Sequence, residues 1–312
     1  MCAAAFITCM AAVFLPYSTG SALDYSGTVS IEAVNVTGSN TWVSYFESGS
    51  SKLVWPIDLK TLGLGLSLKG SDLFEVRFNI ATAPWYTDSG YMKDYDYLIE
   101  SQFSTKPEHD GVDLYSESEL DSKALIMDLQ ARVFPLRTRF FSAGLTAGYR
   151  QEEYDYRAYN TRQTGYGPWQ NQTAEVSGPT SFYSINYDIF SLGLALKSTL
   201  DNITLAFEAS ALPWVGVNDE DEHLKRNRVL YSETTGSGYQ TSFSGTYSFT
   251  NNWSFYSTYT YIRISTDGEH DQHWYGDDPI TSYDDTGASL LNVDTDIRQE
   301  SSRIAIGVTR QF

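Results

Sequence analysis

The chain has 312 residues, 41% of them hydrophobic, 15% aromatic and 19% charged, and its 21 Lys plus Arg stand against 39 Asp plus Glu for a net charge of -18. That composition excludes disordered, collagenous and disulfide-stapled classes, and the charge opposes any phosphate backbone, which argues against nucleic acid as a partner. No apolar run of 18 residues follows the N-terminal segment, so helical membrane spans are excluded while a membrane β-barrel is not.

Residues 1–22 carry no charge and run through Ala3-Ala4-Ala5-Phe6-Ile7 and Val13-Phe14-Leu15 to the small residues Gly20-Ser21-Ala22, which reads as a secretory signal lacking the usual basic start. Both cysteines, Cys2 and Cys9, fall inside it, so residues 23–312 form a single domain without a disulfide. Beyond it, period 2 recurs nearly everywhere and period 3.6 nowhere at useful length, which predicts an all-β chain. Leu62, Leu64, Leu66 and Leu68 alternate with Gly63, Gly65, Ser67 and Lys69, and Phe74, Val76, Phe78 and Ile80 alternate with Glu75, Arg77 and Asn79. The pattern returns at 125–133, 141–149, 183–189, 192–196, 203–209, 243–249, 255–261 and 304–308.

Tight turns at 69–72, 137–139, 199–202 and 250–252 join successive strands. Long polar stretches at 37–51, 83–122, 151–180, 211–228 and 266–301 read as five loops on the other side. Four short turns and five long loops imply ten strands, and an even count with turns at one rim and loops at the other matches an outer-membrane barrel with extracellular loops. Phe312, preceded at two-residue steps by Arg310, Val308, Ile306 and Ile304, has the form of a terminal barrel strand. The competing architecture is a secreted β-sandwich, which gives no reason for every long connection to fall on one side.

Two acidic clusters stand out: Met92-Lys93-Asp94-Tyr95-Asp96-Tyr97 beyond the third strand and Asp219-Glu220-Asp221-Glu222-His223 beyond the seventh. In extended chain, residues two apart share a face about 6–7 Å apart, so Asp94 pairs with Asp96, and Asp219 and Asp221 with His223. Strands three and seven lie nearly opposite in a ring of ten. Asp-x-Asp alone carries no weight, since 23 aspartates in 312 positions yield about two such pairs by chance. Asp294-Thr295-Asp296 reads as a solvated face. His109, His270 and His273 lie in acidic stretches, and His270-x-x-His273 with Asp271, Asp277 and Asp278 is a possible metal set, although that spacing puts the two imidazoles on opposite strand faces. We expect no metal.

The order of a barrel strand, Met92-x-Asp94-x-Asp96, then Asp219-x-Asp221-Glu222-His223 followed by Lys225-Arg226-Asn227-Arg228, with Gly144-Leu145-Thr146-Ala147-Gly148-Tyr149 between, resembles the omptin family of outer-membrane proteases. The resemblance implies that Asp221 with His223 and Asp94 with Asp96, on opposing walls, activate a water, and that Asp219 and Met92 help bind substrate. Such chemistry is coherent: a near-neutral imidazole takes a proton from water, one carboxylate orients it, and a second pair fixes the water. Two departures qualify it. The Glu and Arg through which the family holds lipopolysaccharide are here Gln151 and Glu153, and around Asn40-Thr41-Trp42 no counterpart is found for the first-loop Glu that helps bind basic side chains. The expectation is therefore an endopeptidase acting on cationic peptides or exposed protein loops, in contact with outer-membrane lipid and without a resident cofactor. Its alternative is a non-enzymatic adhesin or small porin with solvated acidic loops.

Overall fold

The computed structural model describes residues 25–47, 49–70, 73–98 and 111–312; the expected signal segment, His109 and the turn residues 71–72 lie outside them. Ten antiparallel strands close into a barrel: β1 (Tyr25–Phe46), β2 (Gly49–Gly70), β3 (Phe74–Tyr97), β4 (Leu114–Arg137), β5 (Phe141–Gly165), β6 (Thr173–Leu200), β7 (Ile203–His223), β8 (Arg228–Ser248), β9 (Trp253–Trp274) and β10 (Ser289–Gln311). Each strand pairs with its sequence neighbours, and β1 closes the ring on β10 from Thr28 opposite Gln311 to Ser44 opposite Thr295. Closure removes both sheet edges, which would otherwise present unpaired N–H and C=O groups. The sandwich is thereby excluded.

The expected turns at 137–139, 199–202 and 250–252 are present, with Asp201 in the left-handed region at φ 50 between β6 and β7. The long polar stretches differ from expectation. Most of 37–51, 151–180 and 211–228 is strand, and the connections at that rim shrink to 47–48, 166–172 and 224–227, leaving 98–113 and 275–288 as the longer ones. The reason is that sidedness inverts along each strand. Near the turns, leucines 62, 64, 66 and 68 point outward, 55–70% exposed, while the interior holds Glu75, Gln130 and Glu208. Nearer the other rim the outward face is polar, with Asp58, Lys60, Asn218 and Glu220, and the interior packs Trp55, Ile57, Leu59, Tyr154, Ile185 and Tyr187. Segments 183–189 and 192–196 show this within one strand, β6: the first sends its apolar residues inward and the second sends them outward.

The outward apolar belt can be stable only against lipid, and the charged interior at that level pairs internally. Arg132 contacts Glu208 at 2.8 Å, Gln130 donates to Glu208 at 2.5 Å, and Tyr256 donates to Glu32 at 2.6 Å around a cavity of about 460 Å³. Arg150 on Asp128 at 2.6 Å and Arg303 on Glu152 at 2.5 Å top this polar layer. Arg310, the one charged residue of the alternating run that ends at Phe312, lies on the outward face 5.5 Å from the Trp253 ring and 5.0 Å from that of Phe312, a cation held among aromatics at the belt edge.

Candidate active site

Both acidic clusters are strand, at the open ends of β3 and β7, and both owe their direction to bulges. In lower β3 the odd residues Glu75, Ala81 and Ala83 are buried. Between Thr82 and Lys93, β3 takes eleven steps against eight on β2, three extra residues that include Pro84 and Gly90 at φ 90. An odd number of extra residues exchanges the faces, so above the bulges Met92, Asp94 and Asp96 point inward. On β7 the even residues Glu208, Ser210 and Leu212 face in, and one extra residue at Leu212-Pro213-Trp214 turns Val215, Val217, Asp219, Asp221 and His223 inward instead. Proline suits such a position because it has no N–H to give to the ladder.

Asp221 is buried and accepts a hydrogen bond from the Ser181 hydroxyl, and its Oδ2 lies 3.1 Å from His223 Nε2. The His223 side chain is 22% exposed. On the facing wall, Ser51 donates to Asp94 at 3.1 Å, and Asp94 and Asp96 are half-buried side by side. Burial, then the neighbouring Asp96, pushes the Asp94 carboxyl well above its ordinary range, and burial raises Asp96 as well. The walls feel each other: the Asp221 charge acts on Asp94, and that of His223 on Asp96. Two carboxyls raised together can hold one proton between them, one then able to donate and the other to accept, an arrangement chemically capable of fixing a water.

Asp219 shares the inward face, deeper in the cleft. It is 7% exposed, accepting from Tyr183 Oη and from the Ser232 amide, both at 3.1 Å, and burial pushes it up to about 7. Met92, also 7% exposed, packs in the interior core. The histidine set does not converge: His270 points inward, bonded to Thr295 and Gln272, while His273 bonds Ser289 on the outward face. Ser51, Ser181 and Tyr183 escaped sequence reasoning because they carry no motif. Only register identifies them, Ser51 opposite Asp96 and Ser181 opposite His223.

The family model described as the Omptin family matches residues 47–311. The chain is similar to the plasminogen activator of Yersinia pestis, 26% identical over 182 residues that cover 56% of this chain and 55% of that protein, so the match spans about half the length of the curated relative. Its fold is similar to that of the outer membrane protease OMPT from Escherichia coli, with a TM-score of 0.78 at 15% identity, covering 94% of this chain and 99% of that one. The apolar belt therefore sits in the outer membrane, with the rim bearing the acidic clusters at the cell surface.

Proposed function

The chain belongs to the omptin family, and from that premise we propose that it is an outer-membrane endopeptidase whose water is activated between Asp221/His223 and Asp94/Asp96. The observation that carries the reading is the His223 couple, 3.1 Å from Asp221, facing a carboxyl pair on the opposite wall. With Nε2–H assigned to Asp221, Nδ1 of His223 is the nitrogen left to take the proton of water. The water oxygen bonds to the scissile carbonyl carbon, the C–N bond breaks, and the proton on His223 passes to the leaving amine. No covalent intermediate is needed.

Cationic peptides fit the -18 net charge and the acidic lining, which raise the local concentration of basic segments at low salt. Asp219 already accepts two hydrogen bonds, so an Arg or Lys side chain reaches it only through the lone pairs that remain, and the preference is looser than the resemblance implies. Gln151 and Glu153 lie on the outward face of β5 and offer no cation to an anionic headgroup there. The porin alternative meets a lumen filled by Trp55, Tyr154, Tyr156 and Tyr187, each at most 1% exposed.

The test is cleavage of a quenched dibasic peptide by the purified, refolded protein. His223→Ala and Asp94→Ala should each lower kcat by about 10²- to 10⁴-fold while the barrel keeps its heat-shifted gel mobility. Full activity in either variant ends the assignment.

A further inference from the structure

Arg228 opens β8 opposite His223 in the β7–β8 register, and because β8 turns its even residues inward, its side chain enters the mouth beside that imidazole. Its charge acts on both Asp94 and Asp96 of one couple and on Asp221 of the other. The neighbouring Arg226 is already committed to Asp278, with contacts at 2.8 and 2.9 Å. Arg228 differs: among the described residues no carboxylate lies within ion-pair distance of it, its Nη1 donates to Gln272 Oε1 at 2.9 Å, and its buried Nε has no partner.

Behind it runs a buried chain. Gln272 Nε2 lies 2.8 Å from His270 Nε2, and His270 Nδ1 lies 2.6 Å from Thr295 Oγ1, with Gln272 and His270 each 1% exposed. These bonds accept one assignment of protons. Gln272 Oε1 accepts the hydrogen bond from Arg228 Nη1, so its amide nitrogen donates to His270, which must then accept at Nε2 and carry its proton on Nδ1. Burial holds His270 neutral by lowering it to about 4, and the Trp42 ring packs 5.0 Å away. The guanidinium is thus fixed by groups that do not neutralise it, at a mouth lined by four carboxyls: Asp94, Asp96, Asp219 and Asp221. An anion forming on substrate there is opposed by its surroundings unless a cation is held in place to meet it.

We propose that Arg228 is a catalytic residue of this hydrolysis, a preorganised cation that receives the charge developing on the scissile carbonyl oxygen. The inference rests on the water-activating reading above. As the water O–H bond breaks toward His223 Nδ1 and the water oxygen joins the carbonyl carbon, the C=O π pair moves onto oxygen and is met by guanidinium N–H donors. When the C–N bond breaks that pair returns to re-form the carbonyl. Gln272 and His270 are positioning residues that aim the guanidinium.

Arg228→Gln should lower kcat by about 10²- to 10³-fold with KM changed less than about threefold, and Arg228→Lys should recover part of the loss. Gln272→Leu should lower kcat about tenfold by loosening the arginine. The loss in Arg228→Gln should persist across the pH profile. A peptide phosphonamidate, tetrahedral and anionic, should lose affinity for Arg228→Gln by about a hundredfold, while the matching neutral hydroxyethylene peptide binds as to wild type. Wild-type kcat in Arg228→Gln overturns the proposal, as does a loss confined to KM, which would make Arg228 a binder of substrate carboxylates. A loss that vanishes at high pH also overturns it, leaving Arg228 as a counter-ion to Asp96. His223→Ala run in parallel separates the two levels: if it stays active the water-activating reading fails and this inference with it, whereas an inactive His223→Ala beside a fully active Arg228→Gln refutes Arg228 alone. Heat-shifted mobility reports folding of each variant, and should Arg228→Gln not fold, Arg228→Lys and Gln272→Leu carry the test through kcat and phosphonamidate affinity.

Discussion

The half of the barrel near the tight turns and the half near the open rim are built from the same strands with opposite rules. Below, leucines and phenylalanines face out and charged residues face in; above, Asp58, Lys60 and Glu220 face out while Trp55, Tyr154 and Tyr187 fill the lumen. The lower half lives in lipid outside and polar surroundings inside, the upper half in water outside, where it packs like a soluble domain. A site that needs buried carboxyls and a held imidazole can be assembled only above, where a dry interior meets the aqueous mouth.

The sharpest way to break this arrangement is to remove a bulge. Deleting Pro213 takes out the one extra residue of β7 and should turn Asp219, Asp221 and His223 outward, lowering peptide cleavage by about 10⁴-fold as the imidazole couple leaves the mouth. Reinserting one glycine there should restore much of the activity, and activity retained in the deletion would show that register slips elsewhere to absorb it. Next in size is the upper core. Trp55→Ala should destabilise the barrel by about 3–5 kcal/mol in denaturant titration within detergent micelles, because the ring is 1% exposed and stacks on Tyr183 at 4.5 Å.

A smaller effect contrasts the two outward faces directly. Leu64→Arg should cost about 2–4 kcal/mol against lipid, and Glu220→Arg, outward on the upper half, less than about 0.5. Equal costs would mean that the belt is misplaced. The least disruptive change is Asp219→Asn. The folded state holds the Asp219 proton up to about 7 whereas an unfolded chain loses it near the ordinary carboxylate range, so between those values the fold binds more protons and its stability falls as pH rises. Asp219→Asn should flatten the stability profile between about pH 4 and 7, and should weaken cleavage of Arg-containing peptides about tenfold more than of neutral ones. Equal loss on both peptide sets would leave no basic pocket.

Much of this was legible in the sequence where one face met lipid. Leu62 to Leu68 alternates so regularly that strand, face and membrane level follow together, and the four turns fix the strand count. The upper strands resemble loops in the sequence because there the outward residues are polar and the inward ones, such as Tyr154 and Tyr156, alternate with charged residues in a pattern a solvated segment shares. The two-residue spacing of Asp219, Asp221 and His223 put them on one face, but not which one. That depended on whether Leu212-Pro213-Trp214 is bulged, and bulges are set by partner strands distant in sequence. For the same reason Arg228 and Gln272 stayed hidden: they meet only through β8–β9 pairing.

The pairing of β1 with β10 has a consequence for how the molecule comes into being. Thr28 sits beside Gln311 and Val36 beside Arg303, contacts between residues more than 260 positions apart. Such a seam is the slowest kind to form, since the entropy of bringing distant ends together is lost before any bond compensates it. Until it closes, β1 and β10 each present an open row of donors and acceptors above an apolar belt, a species prone to pair with other chains. Closure of this barrel is therefore governed by its last strand: one edge of β1 is satisfied early by β2, but the other has no partner until β10 is in place, and the chain must be kept from its neighbours through that interval.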